Sequence, residues 1–278
     1  MNNGWTAKQY GYYRAAFGTY LLIHFLQLLP WSTELFSNRG VLPQSSTSPL
    51  IHLFPNILAV WDSPSFIHLL ICAAALMSLL FATGVYDRVA AVGIWYMWAS
   101  LLGRNPLIAN PSIPFVGWLL LAHTLIPKAP GLLSTEPAPY WKMPPRIFGS
   151  AWAIMALGYT YSGYTKLVSQ SWVDGSALSR VMLNPLARTG TLHSAMLTLP
   201  PVFLSGATWA GLGLELTFVP LALLRAFRPW IWAAMLGLHL VLLVLINFSD
   251  LSAGMVILHL FTFDPAWFCA RRTEVQPR

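Results

Sequence analysis

Lys166 closes an otherwise apolar run, in the segment Tyr159-Thr-Tyr-Ser-Gly-Tyr-Thr-Lys-Leu. A lysine in water-poor surroundings gives up its proton readily, because burial disfavours the ammonium form. The neutral amine that results is a competent general base. A second reading stays open, in which the side chain only stretches from a helix end to the headgroups. Other polar residues also interrupt apolar runs: His24, His68, Arg104, Asn110, Glu215 and His239. An ionisable group at membrane depth is costly and marks a functional candidate. Their distribution suggests one polar cavity opening to the outer face. Plainer roles compete. Histidines such as His24, His68, His123 and His259 suit hydrogen-bonded packing on apolar helices. Glu215 has Gly206, Gly211 and Gly213 nearby, which permit close helix approach, and could pair with Arg14 or Lys166 as structural glue. Arg104 could be an interface anchor.

Composition decides what must position these residues. Of 278 residues, 56% are hydrophobic and 9% charged, and 13 are Trp; the mean hydropathy is +0.59. Soluble domains carry about a quarter charged residues. A chain this poor in charge needs lipid as part of its solvent. The formal charge of +7 does not point to nucleic acid, because the basic residues sit between apolar runs, where they set topology and meet anionic lipid. Cys72 and Cys269 are far apart and suggest neither a disulfide framework nor a zinc site. No His, Asp or Cys spacing implies another metal.

The apolar runs predict an all-α, polytopic transmembrane bundle of about eight helices. They cover Tyr12–Leu29, Pro64–Val85, Val89–Leu102, Ile113–Ile126, Ile147–Leu167, Phe203–Leu224, Pro229–Ile246 and Leu251–Phe263. The third, fourth and eighth are short for the roughly 17–25 residues of a span. Prolines at 30, 64, 106, 111, 127, 130, 144, 200, 201 and 229 mark the breaks. The first run lacks a small-residue cleavage motif and reads as a retained helix. With both termini cytoplasmic, Lys8, Arg14, Arg88, Lys128, Lys142, Arg146, Arg225, Arg228, Arg271, Arg272 and Arg278 fall inside. Arg39, Arg104, Arg180 and Arg188 fall outside, with Lys166 at an outer helix end. That asymmetry satisfies the positive-inside rule and predicts a multi-pass protein of the inner (plasma) membrane. Residues 1–278 read as a single transmembrane domain. The long segments Pro30–Ser63 and Val168–Val202 are then outer, interfacial or re-entrant pieces, and function belongs at that face.

The block Ser162-Gly-Tyr-Thr-Lys-Leu-Val-Ser-Gln-Ser-Trp-Val-Asp-Gly175 resembles a signature of vitamin K-dependent gamma-glutamyl carboxylases. There the pattern is Ala-Gly, then a lysine, Leu, a few polar residues and Trp-Val-Glu-Gly. Lys166, Trp172, Asp174 and Gly175 fall on its lysine, tryptophan, acidic and glycine positions. Gly211-Leu-Gly-Leu-Glu-Leu-Thr is similar to the family's Gly-Leu-Thr-Ile-Asp-Leu-Thr. The helix with His239 and the stretch Phe248–Phe268 resemble its next two helices. Tyr13-Arg14 and Glu34-Leu-Phe-Ser-Asn-Arg-Gly-Val resemble the start of the related horizontally transferred transmembrane (HTTM) domains. The resemblance runs over nearly the whole chain.

The resemblance implies a cofactor, reduced vitamin K or menaquinol with O2 and CO2, and no metal. It makes Lys166 the base that takes a phenolic proton, with epoxidation generating a stronger base for carboxylation of glutamate. A water-poor pocket would protect such a base. Asn110 and Arg104 could stabilise oxyanion charge. The family's Asn-His-Ser is here Asn110-Pro111-Ser112, so the histidine is missing, and His24, His68 or His239 could replace it. The resulting set is Lys166, Asn110 and His239 for catalysis, with Arg104, Trp172, Asp174, Glu215 and His24 for binding. The family's large luminal domain has no counterpart after the last run, which puts carboxylation of a protein substrate in question. Partners are the bilayer, a quinone and a small peptide or protein substrate. Two other classes remain: a membrane factor for maturation or export of a small peptide, and a non-catalytic quinone- or lipid-binding scaffold.

Overall fold

A computed structural model describes residues 3–130, 138 and 140–267. Cys269, Arg271, Arg272 and Arg278, which figure in the sequence reading, lie outside the described residues. Two compact units emerge, Trp5–Ile147 and Met1–Gly4 with Phe148–Arg278.

The first unit holds α1 (Ala7–Leu28), α2 (Ser32–Phe36), α3 (Pro64–Thr83), α4 (Asp87–Arg104) and α5 (Ile113–His123). Thr6 and Gln9 form a reciprocal capping box that starts α1. Pro64 opens α3, where a missing N–H costs nothing. Gly84, at φ 86°, closes it in the left-handed conformation that suits glycine. α1 and α3 meet closely because Gly18 has no side chain; a Cβ there would stand 2.7 Å from the Ala82 backbone. Phe17 and Phe81 pack edge to face at 5.4 Å in the core between them.

The second unit contains α6 (Pro145–Lys166), α7 (Gln170–Val173), α8 (Ala177–Met182), α9 (Thr191–Thr198), α10 (Pro201–Leu223), α11 (Arg228–Leu245) and α12 (Ser249–Thr262). Short helices α7 to α9 occupy the long Val168–Val202 segment. Met182 and Ala187 pack on Leu245 and Ile246. The Arg188 amide donates to Leu245 O at 2.8 Å and the Asn247 amide to Leu186 O at 2.7 Å, fastening this segment to the end of α11.

The protein is all-helical: the described residues form no strand, only an isolated bridge between Ala187 and Ile246. Each of the eight apolar runs forms a helix. Among the described residues, α3, α10 and α11 are long and apolar enough to cross a membrane. α5 and α12 are apolar but have only 11 and 14 residues. α1, α4 and α6 have the length, yet they carry the polar residues on which the interior depends.

Candidate functional site at Lys166

Five of the expected site residues belong to the second unit. On α6, Tyr159, Gly163 and Lys166 follow one another at i, i+4 and i+7, which puts them on one face. On α10 the buried residues Leu204, Thr208, Leu212, Glu215, Phe218 and Ala222 form one stripe. Glu215 is the lone acid in it. Gly163 lets the two helices touch: a Cβ there would stand 2.9 Å from the Leu216 amide nitrogen and 3.0 Å from Glu215 Cβ.

That approach brings Lys166 onto Glu215. Its Nζ reaches both carboxylate oxygens at 2.5 Å. The lysine side chain keeps 24% of its surface exposed and the glutamate 10%. The pair is therefore enclosed yet reachable. The chain then turns back through α7, and the Trp172 ring lies with its centroid 4.5 Å from Nζ, so an aromatic face covers the cation.

The rest of the quoted block builds this turn. Trp209 Nε1 donates to Val173 O at 3.1 Å. Gly175, at φ 81°, sits where a Cβ would stand 2.9 Å from the Trp209 ring, so both its backbone and its neighbours require glycine. Asp174 is an exposed turn cap. Its Oδ1 accepts from the Ser176 amide at 2.8 Å, and the hydrogen bonds from Ser176 hold its carboxyl below the usual carboxylate range. It points to a structural role for a residue expected in binding.

A second polar group lies in the same unit. The Tyr159 hydroxyl and His239 Nε2 are 2.7 Å apart. The His239 and His259 rings are 5.8 Å apart, and Tyr159 lies 5.7 Å from His259. His259 Nδ1 donates to Met255 O at 2.9 Å, which leaves Nε2 as its bare acceptor. His239 Nδ1 and His259 Nε2 are both buried with no hydrogen-bond partner. Sequence reasoning reached His239 but took His259 as packing and gave Tyr159 no role. The i, i+7 relation of Tyr159 to Lys166 was the available signal.

Arg104, Asn110 and His24 belong to the first unit. Arg104 is fully buried, and its Nη2 donates to Leu42 O at 2.6 Å and Ser37 O at 3.2 Å and meets Asp62 at 3.2 Å. It pins the Pro30–Ser63 segment to the end of α4 and is not a surface anchor. Asn110 Oδ1 accepts from the Ser112 amide at 2.9 Å and from its hydroxyl at 2.6 Å, shaping the entry to α5. His24 packs 4.7 Å from the Trp98 ring. His68, on α3, meets the Ser32 hydroxyl at 3.1 Å. The choice left open for Glu215 resolves to Lys166, because Arg14 pairs with Asp87 at 3.0 Å instead. His123 lies 3.4 Å from the same Asp87 oxygen and 2.6 Å from the Tyr10 hydroxyl. Sequence reasoning missed this buried group, since Asp87 reads as the first-turn acid of α4.

No family model, curated protein or solved structure matches the chain. Lys166, Glu215 and Trp172 therefore stand on their own geometry. Together they place a lysine–carboxylate pair against a flat aromatic ring.

Proposed function

We propose that the protein is a multi-pass enzyme of the plasma membrane, similar to the vitamin K-dependent carboxylases, that removes a proton from a reduced quinone at Lys166. The observation that carries this reading is the Lys166–Glu215 pair, partly open and covered by Trp172. A flat phenolic ring fits the residues present. Trp172 offers a stacking surface, and His239 Nδ1 and His259 Nε2 are buried polar atoms without a partner. When bound, a reduced quinone would supply the acidic hydroxyl and the ring that reacts with oxygen. Lys166 receives the proton at Nζ from the state in which the pair has become amine and carboxylic acid, its own proton having passed to Glu215; from ammonium and carboxylate, the carboxylate is the acceptor. Glu215 holds the amine in place and can share that proton through either carboxylate oxygen. As a unit the pair takes up one proton whether it starts as ammonium and carboxylate or as amine and acid. The enclosed setting limits competition from water.

In this reading the eight helices α1, α3, α4, α5, α6, α10, α11 and α12 all span, with both termini cytoplasmic and the Pro30–Ser63 and Val168–Val202 segments outside. Cysteines introduced at Ser46 and Thr189 are expected to react with an impermeant thiol reagent in intact cells, and one at Tyr140 is not. Labelling at Tyr140 alone would reverse the orientation.

The chemical test is oxygen uptake with reduced vitamin K or menaquinol, comparing wild type with Lys166→Ala and Lys166→Arg at matched protein levels. Arginine preserves the ion pair and the cation over Trp172 but does not deprotonate. Both variants should lose about 10²–10⁴-fold, the usual contribution of a general base. Full activity in Lys166→Arg removes Lys166 as the base. A structural bond is the second reading, favoured by the contact of Nζ with both Glu215 oxygens, and it forecasts rescue by arginine.

A further inference from the structure

The helices that carry the Lys166 pair also frame a separate cavity. α6 and α10 touch at Gly163 and Leu216. One turn further along, the Thr160 hydroxyl donates to Glu215 O at 3.2 Å and accepts from the Val219 amide at 3.1 Å. Those two groups are i, i+4 partners in the ladder of α10, so a side chain of α6 bridges them. Pro220 follows and has no amide to give Leu216. A side chain at the ladder next to a proline is a common ground for a bend. Beyond this point the helices part. Between them lies a cleft of about 330 Å³, bordered by Gly149, Ala153 and Ala156 of α6, Val219 and Ala222 of α10, and Arg228. Its volume is in the range of about 300–1,000 Å³ common for small-molecule sites.

Gly149, Ala153, Ala156 and Ala222 leave space between the larger apolar walls Trp152, Leu157 and Leu223, and the one charged border residue sets the chemistry of the cleft. Arg228 is half-buried and donates from Nε to Ala222 O at 2.5 Å, which fixes the guanidinium at the cleft end. Exposed Arg225 lies in the same turn. α11 begins at Arg228 with no side-chain cap, adding the positive end of a helix. Phe227 and Trp230 are exposed beside them, the aromatic character found at a membrane–water boundary. An apolar slot that ends in fixed positive charge at such a boundary matches one molecule type in both halves.

We propose that this cleft is a specific site for one anionic phospholipid, with an acyl chain between α6 and α10 and the phosphate held by Arg228 and Arg225. Arginine suits that headgroup because its planar fork pairs with phosphate oxygens. The site is independent of the chemistry at Lys166.

The test is native mass spectrometry of the full chain, delipidated in detergent and titrated with phosphatidylglycerol or phosphatidylcholine. Phosphatidylglycerol should bind one per chain, about tenfold more tightly than phosphatidylcholine. Arg228→Gln should remove that preference. Ala153→Leu should reduce binding of both lipids by filling the slot. Arg225→Gln, at an exposed position, gives the same readout without touching the Arg228–Ala222 bond. Thermal midpoints in detergent alone check that each variant is folded. Equal affinity for the two lipids, or unchanged binding in a folded Ala153→Leu, overturns the site. So does retention of a neutral isoprenoid that is indifferent to Arg228→Gln.

Discussion

Arg14–Asp87 in the first unit and Lys166–Glu215 in the second use the same attraction for different ends. Arg14 and Asp87 have side-chain exposures of 1% and 8%. Around them Tyr10, His123 and the Pro130 carbonyl take up polar atoms. Gly84 leaves the space for the guanidinium, since a Cβ there would collide with it. Arginine is always charged, so this cluster can hold helices but cannot trade protons through its cation. Lys166 and Glu215 are more open, with side-chain exposures of 24% and 10%. Their neighbour is an aromatic face and not a set of carbonyls. Enclosed charge held by several partners indicates a fastening, and reachable charge beside an aromatic face is where the proposed chemistry is placed.

The largest expected effect separates the two partners at the open pair. If Nζ is the proton acceptor, Lys166→Arg loses about 10²–10⁴-fold in quinol-dependent oxygen uptake, and Glu215→Gln loses less because the amine survives. A reversed order, with Glu215→Gln the worse variant, moves the base to the carboxylate. The next effect reads the sealed pair. Arg14→Leu leaves a buried acid without its main partner and should destabilise the protein by about 3–5 kcal/mol. Thermal unfolding in detergent measures it. A loss no larger than that of Lys166→Met would erase the contrast between the pairs.

The smallest effect concerns Asp174. Its hydrogen bonds from Ser176 keep the folded carboxyl below the usual carboxylate range. A depressed folded value means that the cap contributes above the unfolded pKa and is lost as pH falls through the folded one. Asp174→Asn keeps the acceptor oxygen, so the acid side of a thermal-midpoint profile should flatten slightly with little change at neutral pH. A strong loss of activity in Asp174→Asn would return this residue to the binding role expected for it from sequence.

Much of the scaffold was legible in sequence because lipid and helix period act locally. The run Pro64–Val85 became α3 (Pro64–Thr83), and Pro229–Ile246 became α11 (Arg228–Leu245). Pairing was less legible. Arg14 meets an acid 73 residues away and Lys166 one 49 residues away, and neither choice is encoded in local spacing. From sequence Arg104 is a binding candidate or an interface anchor; its burial is not legible there, because two of its partners are backbone carbonyls of a loop, which carry no side-chain signature, and the third, Asp62, is 42 residues away. The short helices α7 to α9 lack a sustained period, and Pro220 escaped notice because the helix continues through it.

The contact at Gly163 also has a mechanical meaning. Glu215 sits at that contact itself, so the ion pair is lodged where the two helices are pressed together, while the Gly149–Leu223 cleft lies further along the same pair of helices. Gly163 acts as the missing wedge: any side chain there would press on the Leu216 amide and Glu215 Cβ and pry the two helices apart at the ion pair.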